Sequence, residues 1–228
     1  EIIGNVDRVF ISTIYYRKYH FFTSYLFCSI VPYLQKVIFM YNEQERELKC
    51  MLTKEEFDHI LSSYDFPILI DQINTYFDTS DQLVRKEGCA IRIRRIKDRF
   101  IFTLKKRTDP ITLIELEKDV SSDDIEEITD PKIISWCDQY HIPLRDLKPV
   151  TSIRTVRHLM KTEKAEICLD HTYFSHTQDY EIEYEYLQDH DGIRAFNEFL
   201  KPFGLQFKKN CSSKIARAMK YNSSDLMR

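Results

Sequence analysis

The stretch Glu45-Arg46-Glu47-Leu48-Lys49 decides the fold, because three of its charged residues stand two positions apart. Side chains in an extended strand alternate between two faces, so Glu45, Glu47 and Lys49 project from one side. Burial of a charge without compensation costs several kcal/mol. That side of the strand is therefore expected to meet water, a metal ion or a highly charged ligand.

Charges with the same two-residue spacing recur in the later segments AIRIRR, FTLKKR, IELEKDV and YEIEYEY. Each segment by itself is typical of the solvated face of an antiparallel sheet whose other face is apolar. Acidic and basic strands together predict a closed barrel with a polar lumen. The charged residues in phase with one another are Arg92, Arg94, Lys105, Glu115, Glu117, Glu181, Glu183 and Glu185.

The order of these motifs resembles that of the CYTH family, also called triphosphate tunnel metalloenzymes, and most closely its small bacterial members. The resemblance rests on the first acidic strand, QINTYFDTSDQLVRKEGCAIRIRR, TLK at residues 103–105, IELE, LDHTYF and YEIEYE. It implies an α+β fold, an eight-stranded antiparallel β tunnel with flanking helices. It also implies binding of a triphosphate with a divalent metal and, in most members, its hydrolysis. The family includes adenylate cyclases and a thiamine triphosphatase, so the fold does not settle the reaction.

The resemblance places the CYTH domain at residues 40–221 and leaves residues 222–228 as a tail. Residues 1–39 share no motif with the family, and we interpret them as an extension outside the domain, with Met40 as the expected native start. Their aromatic and apolar stretch, residues 21–34, is shorter than the about 20 apolar residues that a membrane span needs. The alternative is an amphipathic membrane or partner anchor.

Local signals divide the domain into strands and helices. Thr53 and Glu56 form a capping box that predicts a helix through about Ser63. Strands are predicted at about 70–78, 88–97, 99–107, 112–119, 150–160, 164–172 and 179–187. A helical insertion is predicted at 121–143, a helix after Gly192, and a last helix at 212–221.

Carboxylates are the ligands that Mg²⁺ or Mn²⁺ prefers, whereas the cysteines and histidines are too scattered for a zinc site. Glu185 projects from the same face of its strand as Glu181 and Glu183. We rank it below them as a metal ligand, because it lies toward the strand end. Asp78 and Asp170 match family positions and either cap turns or bind metal. The predicted metal ligands are Glu45, Glu47, Glu115, Glu117, Glu181 and Glu183.

Phosphate oxygens pair with guanidinium and ammonium groups. Arg154 is out of phase with Arg157 and is predicted to face outward. Lys214, after two serines, resembles a family position that reaches the phosphates from a tunnel mouth. We predict a catalytic role for Glu45, Glu47 and Lys49. The predicted substrate-binding residues are Lys49, Arg92, Arg94, Lys105, Arg157 and Lys214.

The predicted function is metal-dependent hydrolysis of inorganic triphosphate or a nucleoside triphosphate. The alternatives are an adenylate cyclase of the CYTH type and a non-catalytic module that binds polyphosphate or nucleotide. The 33 basic and 36 acidic residues nearly cancel, and this total by itself does not decide on nucleic acid. Proteins that bind nucleic acid usually show a patch of one sign, whereas both signs here converge on one predicted cavity, so no nucleic-acid partner is expected. We also expect no membrane partner, a monomer or homodimer, and a reducing, cytoplasmic location, since the cysteines show no disulfide or metal spacing.

Overall fold

A computed structural model describes residues 44–225, and the side chains of residues 44–222. The strands close into one antiparallel barrel in the order β1-β5-β4-β3-β2-β6-β7-β8. The predicted eight-stranded antiparallel tunnel is therefore confirmed. The predictions for residues 1–39 lie outside the described residues. The strands are β1 (Gln44–Leu52), β2 (Ile68–Asp78), β3 (Cys89–Ile96), β4 (Arg99–Arg107), β5 (Thr112–Val120), β6 (Lys148–Lys161), β7 (Ala165–Tyr173) and β8 (Gln178–Tyr186).

Helices connect and flank the strands. The described helices are α1 (Lys54–Ser63), α2 (Leu83–Lys86), α3 (Pro131–Gln139), α4 (Gly192–Leu200) and α5 (Lys214–Asp225), with short 3₁₀ turns at Ile125–Glu127, Leu144–Asp146 and Lys201–Phe203. The capping box of α1 is present, because Thr53 N donates to the Glu56 carboxylate at 2.7 Å and Glu56 N donates to Thr53 Oγ1 at 3.2 Å. The sequence did not predict α2, and α5 continues beyond residue 221. None of the helices within residues 44–225 is long and apolar enough to cross a membrane.

The apolar core lies outside the barrel rather than within it. Ile91 and Ile93 are fully buried on the outer face of β3, while Arg92 and Arg94, which alternate with them, face the lumen. One cluster joins the outer faces of β3, β4 and β5 to α3, and includes Phe102 and Trp136. Because β3, β4 and β5 bury their apolar faces in this cluster, their opposite faces are left to line a polar lumen.

A second apolar cluster covers the other side of the barrel. It joins the outer faces of β1, β7 and β8 to α1 and α4, and includes Leu48, Phe57, Ile182 and Phe196. Leu48 is 0% exposed although both of its neighbours in the sequence are charged. The burial of Leu48 therefore determines that Glu47 and Lys49 face inward.

Helix α5 packs into one end of the lumen. Ile215 and Ala218 contact Tyr76 of β2 and Ile153 of β6. On its other side, Arg217 donates to Asp179 of β8 from both Nε, at 2.7 Å, and Nη2, at 3.2 Å. The helix thus bridges two sides of the barrel and brings Lys214, its first residue, into the lumen.

Candidate functional site

The lumen holds a cavity of about 800 Å³ whose lining includes most of the predicted site residues. Glu181 is the exception, because it is 0% exposed and lies behind the cavity wall. We call six carboxylates of β1, β7 and β8 the acidic wall and three cations of β3 and β4 the basic wall. The acidic wall consists of Glu45, Glu47, Asp170, Glu181, Glu183 and Glu185, and the basic wall of Arg92, Arg94 and Lys105.

The first carboxylate cluster of the acidic wall is formed by Glu45, Glu47 and Glu185. Glu47 and Glu185 are opposite each other in the pairing of β1 with β8, and one oxygen from each of the three residues lies within 4.8 Å of the others. Burial raises the pKa of Glu45, and it raises the pKa of Glu185 to about 8. A divalent cation would relieve this crowding of buried carboxylates, so the cluster fits Mg²⁺ or Mn²⁺.

Each carboxylate of this first cluster contacts a different cation. Lys105 Nζ lies 2.6 Å from Glu45 Oε2, and Lys49 Nζ lies 2.7 Å from Glu47 Oε1. Arg157 Nη1 lies 3.2 Å from Glu185 Oε1. Within the described part of the chain, these ion pairs leave no cation shared by all three carboxylates.

The second carboxylate cluster is formed by Asp170, Glu181 and Glu183, which lie on the neighbouring strands β7 and β8. Lys214 Nζ lies 2.8 Å from Asp170 Oδ2 and 3.0 Å from Glu183 Oε1, and it also contacts Glu181. Burial alone would raise the pKa of Glu183, but Lys214, Lys49 and Arg157 hold that pKa well below its ordinary value. The second cluster is thus already neutralised by cations of the protein.

Two of the predicted phosphate ligands connect the clusters. Lys49 contacts Glu47 of the first cluster and lies 3.3 Å from Glu183 of the second. Arg157 donates to both carboxylate oxygens of Asp170 at 2.8 Å and also contacts Glu183 and Glu185. Both side chains are oriented by carboxylates, which fixes the positions of their cationic groups in the lumen.

The basic wall contains one buried donor without a partner among the described residues and one arginine that forms no ion pair there. Arg92 Nη2 lies 3.3 Å from Glu115 Oε1, but Arg92 Nε is buried and has no hydrogen-bond partner among the described residues. Arg94 donates to Asn74 Oδ1 at 3.3 Å and forms no ion pair within the described part of the chain. Burial, and then the charge of Arg92, lowers the pKa of Arg94 to about 10. An anion bound here would satisfy both guanidinium groups.

Glu115 and Glu117 belong to neither of the two three-residue clusters, although Glu115 shares Lys105 with Glu45 of the first cluster. They project from β5 toward the basic wall, where Glu115 lies 3.1 Å from Lys105 and Glu117 accepts a hydrogen bond from Thr103 at 2.8 Å. The structure therefore divides the six predicted metal ligands among three places in the lumen. Glu185, which ranked low on sequence grounds, lies in the first cluster because register pairs it with Glu47.

Three further residues lie outside the predicted sets of metal ligands and substrate-binding residues. Arg154 faces outward as predicted, and its Nη2 lies 2.7 Å from Asp71 Oδ2. Asp78 caps α2, because it accepts from Thr79 N at 2.8 Å and Val84 N at 2.9 Å. Arg217 was not predicted, although it stands three residues after Lys214 and shares a helical face with it.

Comparisons with known proteins agree with this architecture. A family model described as CYTH domain matches residues 43–217. The chain is 33% identical over 183 residues to the Bacillus subtilis (strain 168) protein named "Putative triphosphatase YjbK", in an alignment that covers 78% of this chain and 95% of that protein.

Solved structures show the same fold. A Bacillus halodurans protein described as a "putative adenylate cyclase" has a TM-score of 0.68 and 28% identity, over 77% of this chain and 98% of that one. HpAC1 from Hippeastrum, described as a "putative adenylyl cyclase" with a dominant triphosphatase activity, has a TM-score of 0.64 and 21% identity, over 78% of this chain and 95% of that one.

Proposed function

Because the chain belongs to the CYTH domain family, we propose that it is a divalent-metal-dependent triphosphatase acting on inorganic triphosphate or a nucleoside triphosphate. The observation that carries this proposal is that Arg92 Nε, which has no hydrogen-bond partner among the described residues, and Arg94, which forms no ion pair there, line the same cavity as a crowded carboxylate cluster. The basic wall keeps one unsatisfied donor and one arginine without an ion pair among the described residues, and the acidic wall would gain from a cation. A metal-bound triphosphate supplies both an anion and a cation.

The basic wall supplies the contacts for the phosphate chain. Guanidinium groups present planar sets of N–H donors that match phosphate oxygens. Arg92 and Arg94 are adjacent in phase on β3, and Lys105 faces the same lumen from the neighbouring strand β4. These groups would hold the phosphate chain and stabilise negative charge as it shifts during cleavage.

The first cluster supplies the metal site. We propose that Glu45, Glu47 and Glu185 hold Mg²⁺ or Mn²⁺, since their oxygens converge within 4.8 Å. When bound, the ion offsets charge on the phosphate oxygens and lowers the pKa of bound water. Lys49 orients Glu47 through the 2.7 Å contact, and we propose that Glu47 accepts a hydrogen bond from the attacking water.

Product identification tests this function. The purified protein is incubated with tripolyphosphate, ATP, GTP or thiamine triphosphate, each with Mg²⁺ or Mn²⁺. A triphosphatase releases orthophosphate. An adenylate cyclase, the activity in the description of the Bacillus halodurans protein, would release pyrophosphate and a cyclic nucleotide and would leave tripolyphosphate intact. Tight triphosphate binding without any product would contradict both enzymatic readings and favour a binding module.

A further inference from the structure

Lys214 occupies the centre of the second cluster in the way that a metal ion would. Its Nζ contacts Asp170, Glu181 and Glu183, and these are the three residues whose oxygens converge within 4.8 Å. An ammonium group has three N–H donors and no acceptor. Two of the contacts of Lys214, with Glu181 and Glu183, are hydrogen bonds, and the third, with Asp170, is an ion pair of 2.8 Å.

Other cations of the protein surround the same cluster. Arg217 contacts Glu181, Arg157 contacts Asp170 and Glu183, and Lys49 contacts Glu183. Counting Lys214, four cationic side chains face three carboxylates in the described part of the chain. A divalent ion placed among them would be repelled at short range, in a buried site where screening is weak.

Helix α5 holds the ammonium in place. Lys214 is the first residue of α5, and Arg217 ties the same helix to Asp179 by two hydrogen bonds, of 2.7 and 3.2 Å. The apolar face of the helix is anchored independently on Tyr76 and Ile153. A tethered cation has a high effective concentration at its site, which a metal in solution has to exceed.

The first cluster differs in this respect. Lys105, Lys49 and Arg157 each contact one of its carboxylates, from the side of their own strands. No described cation touches all three, so the point where the oxygens of Glu45, Glu47 and Glu185 converge is accessible to an ion.

We propose that Lys214 is a built-in cation that excludes a divalent metal from the Asp170, Glu181 and Glu183 cluster, so that the resting protein binds metal at the first cluster alone. The inference rests on the metal dependence in the proposed function. It assigns Lys214 a positioning role toward carboxylates in the resting state, rather than direct contact with phosphate.

The test counts bound Mn²⁺ by electron paramagnetic resonance, with no phosphate compound present. Wild-type protein should bind one ion, and Lys214→Met, which keeps the length of the side chain but removes its charge, should bind two. Lys209→Met removes the same charge from an exposed position and should bind one. Adding Asp170→Asn to Lys214→Met should remove the second ion, which locates it in the second cluster.

Lys214→Met leaves three buried carboxylates without their shared cation, so its folding is measured alongside by circular dichroism with and without Mn²⁺. A variant that folds only with Mn²⁺ and binds one ion more than wild type supports the inference. A variant that no Mn²⁺ concentration restores, or that binds the same number of ions as wild type, overturns it.

The Mn²⁺ counts and the activity together distinguish a failure of this inference from a failure of the proposed triphosphatase function. Wild-type protein without bound Mn²⁺, beside one ion in Lys214→Met, would preserve the exclusion of metal from the second cluster by Lys214 and contradict both the metal site at the first cluster and the metal-dependent function. Metal-dependent triphosphatase activity in wild type, beside an unchanged ion count in Lys214→Met, would do the reverse.

Discussion

The two walls of the lumen differ in how far the protein satisfies its own charges. On the acidic wall, every carboxylate contacts at least one lysine or arginine, and the second cluster shares Lys214. On the basic wall, Arg94 has no carboxylate partner among the described residues and Arg92 Nε has no acceptor. From this difference we expect the basic wall to accept an anion from outside the protein, and the first cluster of the acidic wall to accept a metal ion.

The largest expected effect is at the first cluster. Glu45→Gln keeps the shape of the side chain but removes a proposed metal ligand, so kcat/KM for tripolyphosphate should fall by on the order of 10³-fold. In metal-free protein the same change should raise the melting temperature, because it relieves repulsion among buried carboxylates. Glu163→Gln, at an exposed position, is the matched control. A turnover rate equal to that of the wild type in Glu45→Gln would show that Glu45 is not part of the site.

The next effect separates the inner and outer faces of the barrel. Arg94→Ala removes the unpaired guanidinium of the basic wall, and kcat/KM should fall by about 10²-fold. Arg154→Ala removes a guanidinium that pairs with Asp71 on the outside, with its side chain 49% exposed. That change should alter stability by no more than about 1 kcal/mol and leave steady-state kinetics unchanged. Equal losses of kcat/KM in the two variants would contradict the placement of Arg94 in the lumen and of Arg154 on the outer face.

A smaller effect concerns the choice of substrate. Both walls face a lumen that suits a linear chain of phosphates, and no sequence motif indicates a base-binding pocket. We therefore expect tripolyphosphate to be hydrolysed at least as fast as ATP at saturating Mg²⁺ or Mn²⁺. Initial rates of orthophosphate release measure this directly. A clear preference for ATP would indicate contacts to the nucleoside that the charged walls do not provide.

The smallest effect is expected at the N-terminus. The two walls and Lys214 all lie between residues 45 and 214, so a chain that begins at Met40 should keep the activity and the melting temperature of the full chain. Turnover and thermal unfolding of the two proteins are compared side by side. Unfolded or insoluble protein from the shorter chain would show that the domain depends on residues 1–39.

The sequence was sufficient to predict which face of each strand is charged. Leu48 lies between Glu47 and Lys49, and its complete burial follows from the alternation of side chains along a strand. The opposite orientations of Arg154 and Arg157 follow from the same rule. Strand positions were also well predicted, because the charge period and the flanking turns are local properties of the chain.

The grouping of the carboxylates was not predictable in the same way. Glu185 joins Glu45 and Glu47 because β1 pairs with β8 in one register, and that pairing connects residues far apart in the chain. Glu115 and Glu117 have the same spacing as the other acidic pairs, yet β5 places them toward the basic wall. Spacing within a strand carries no information about the neighbour of that strand.

The amino-acid sequence by itself thus determined the charged tunnel, its apolar outer face and the family. The reason is that the alternation of charged and apolar residues and the order of the motifs are local properties of the sequence. Tertiary structure alone decided that Lys214 points its ammonium into the second cluster and that Arg217, which the sequence reading missed, supports it. Both depend on how α5 docks against Tyr76 and Ile153. Helix docking and strand register are set by packing between distant segments, which no local pattern records.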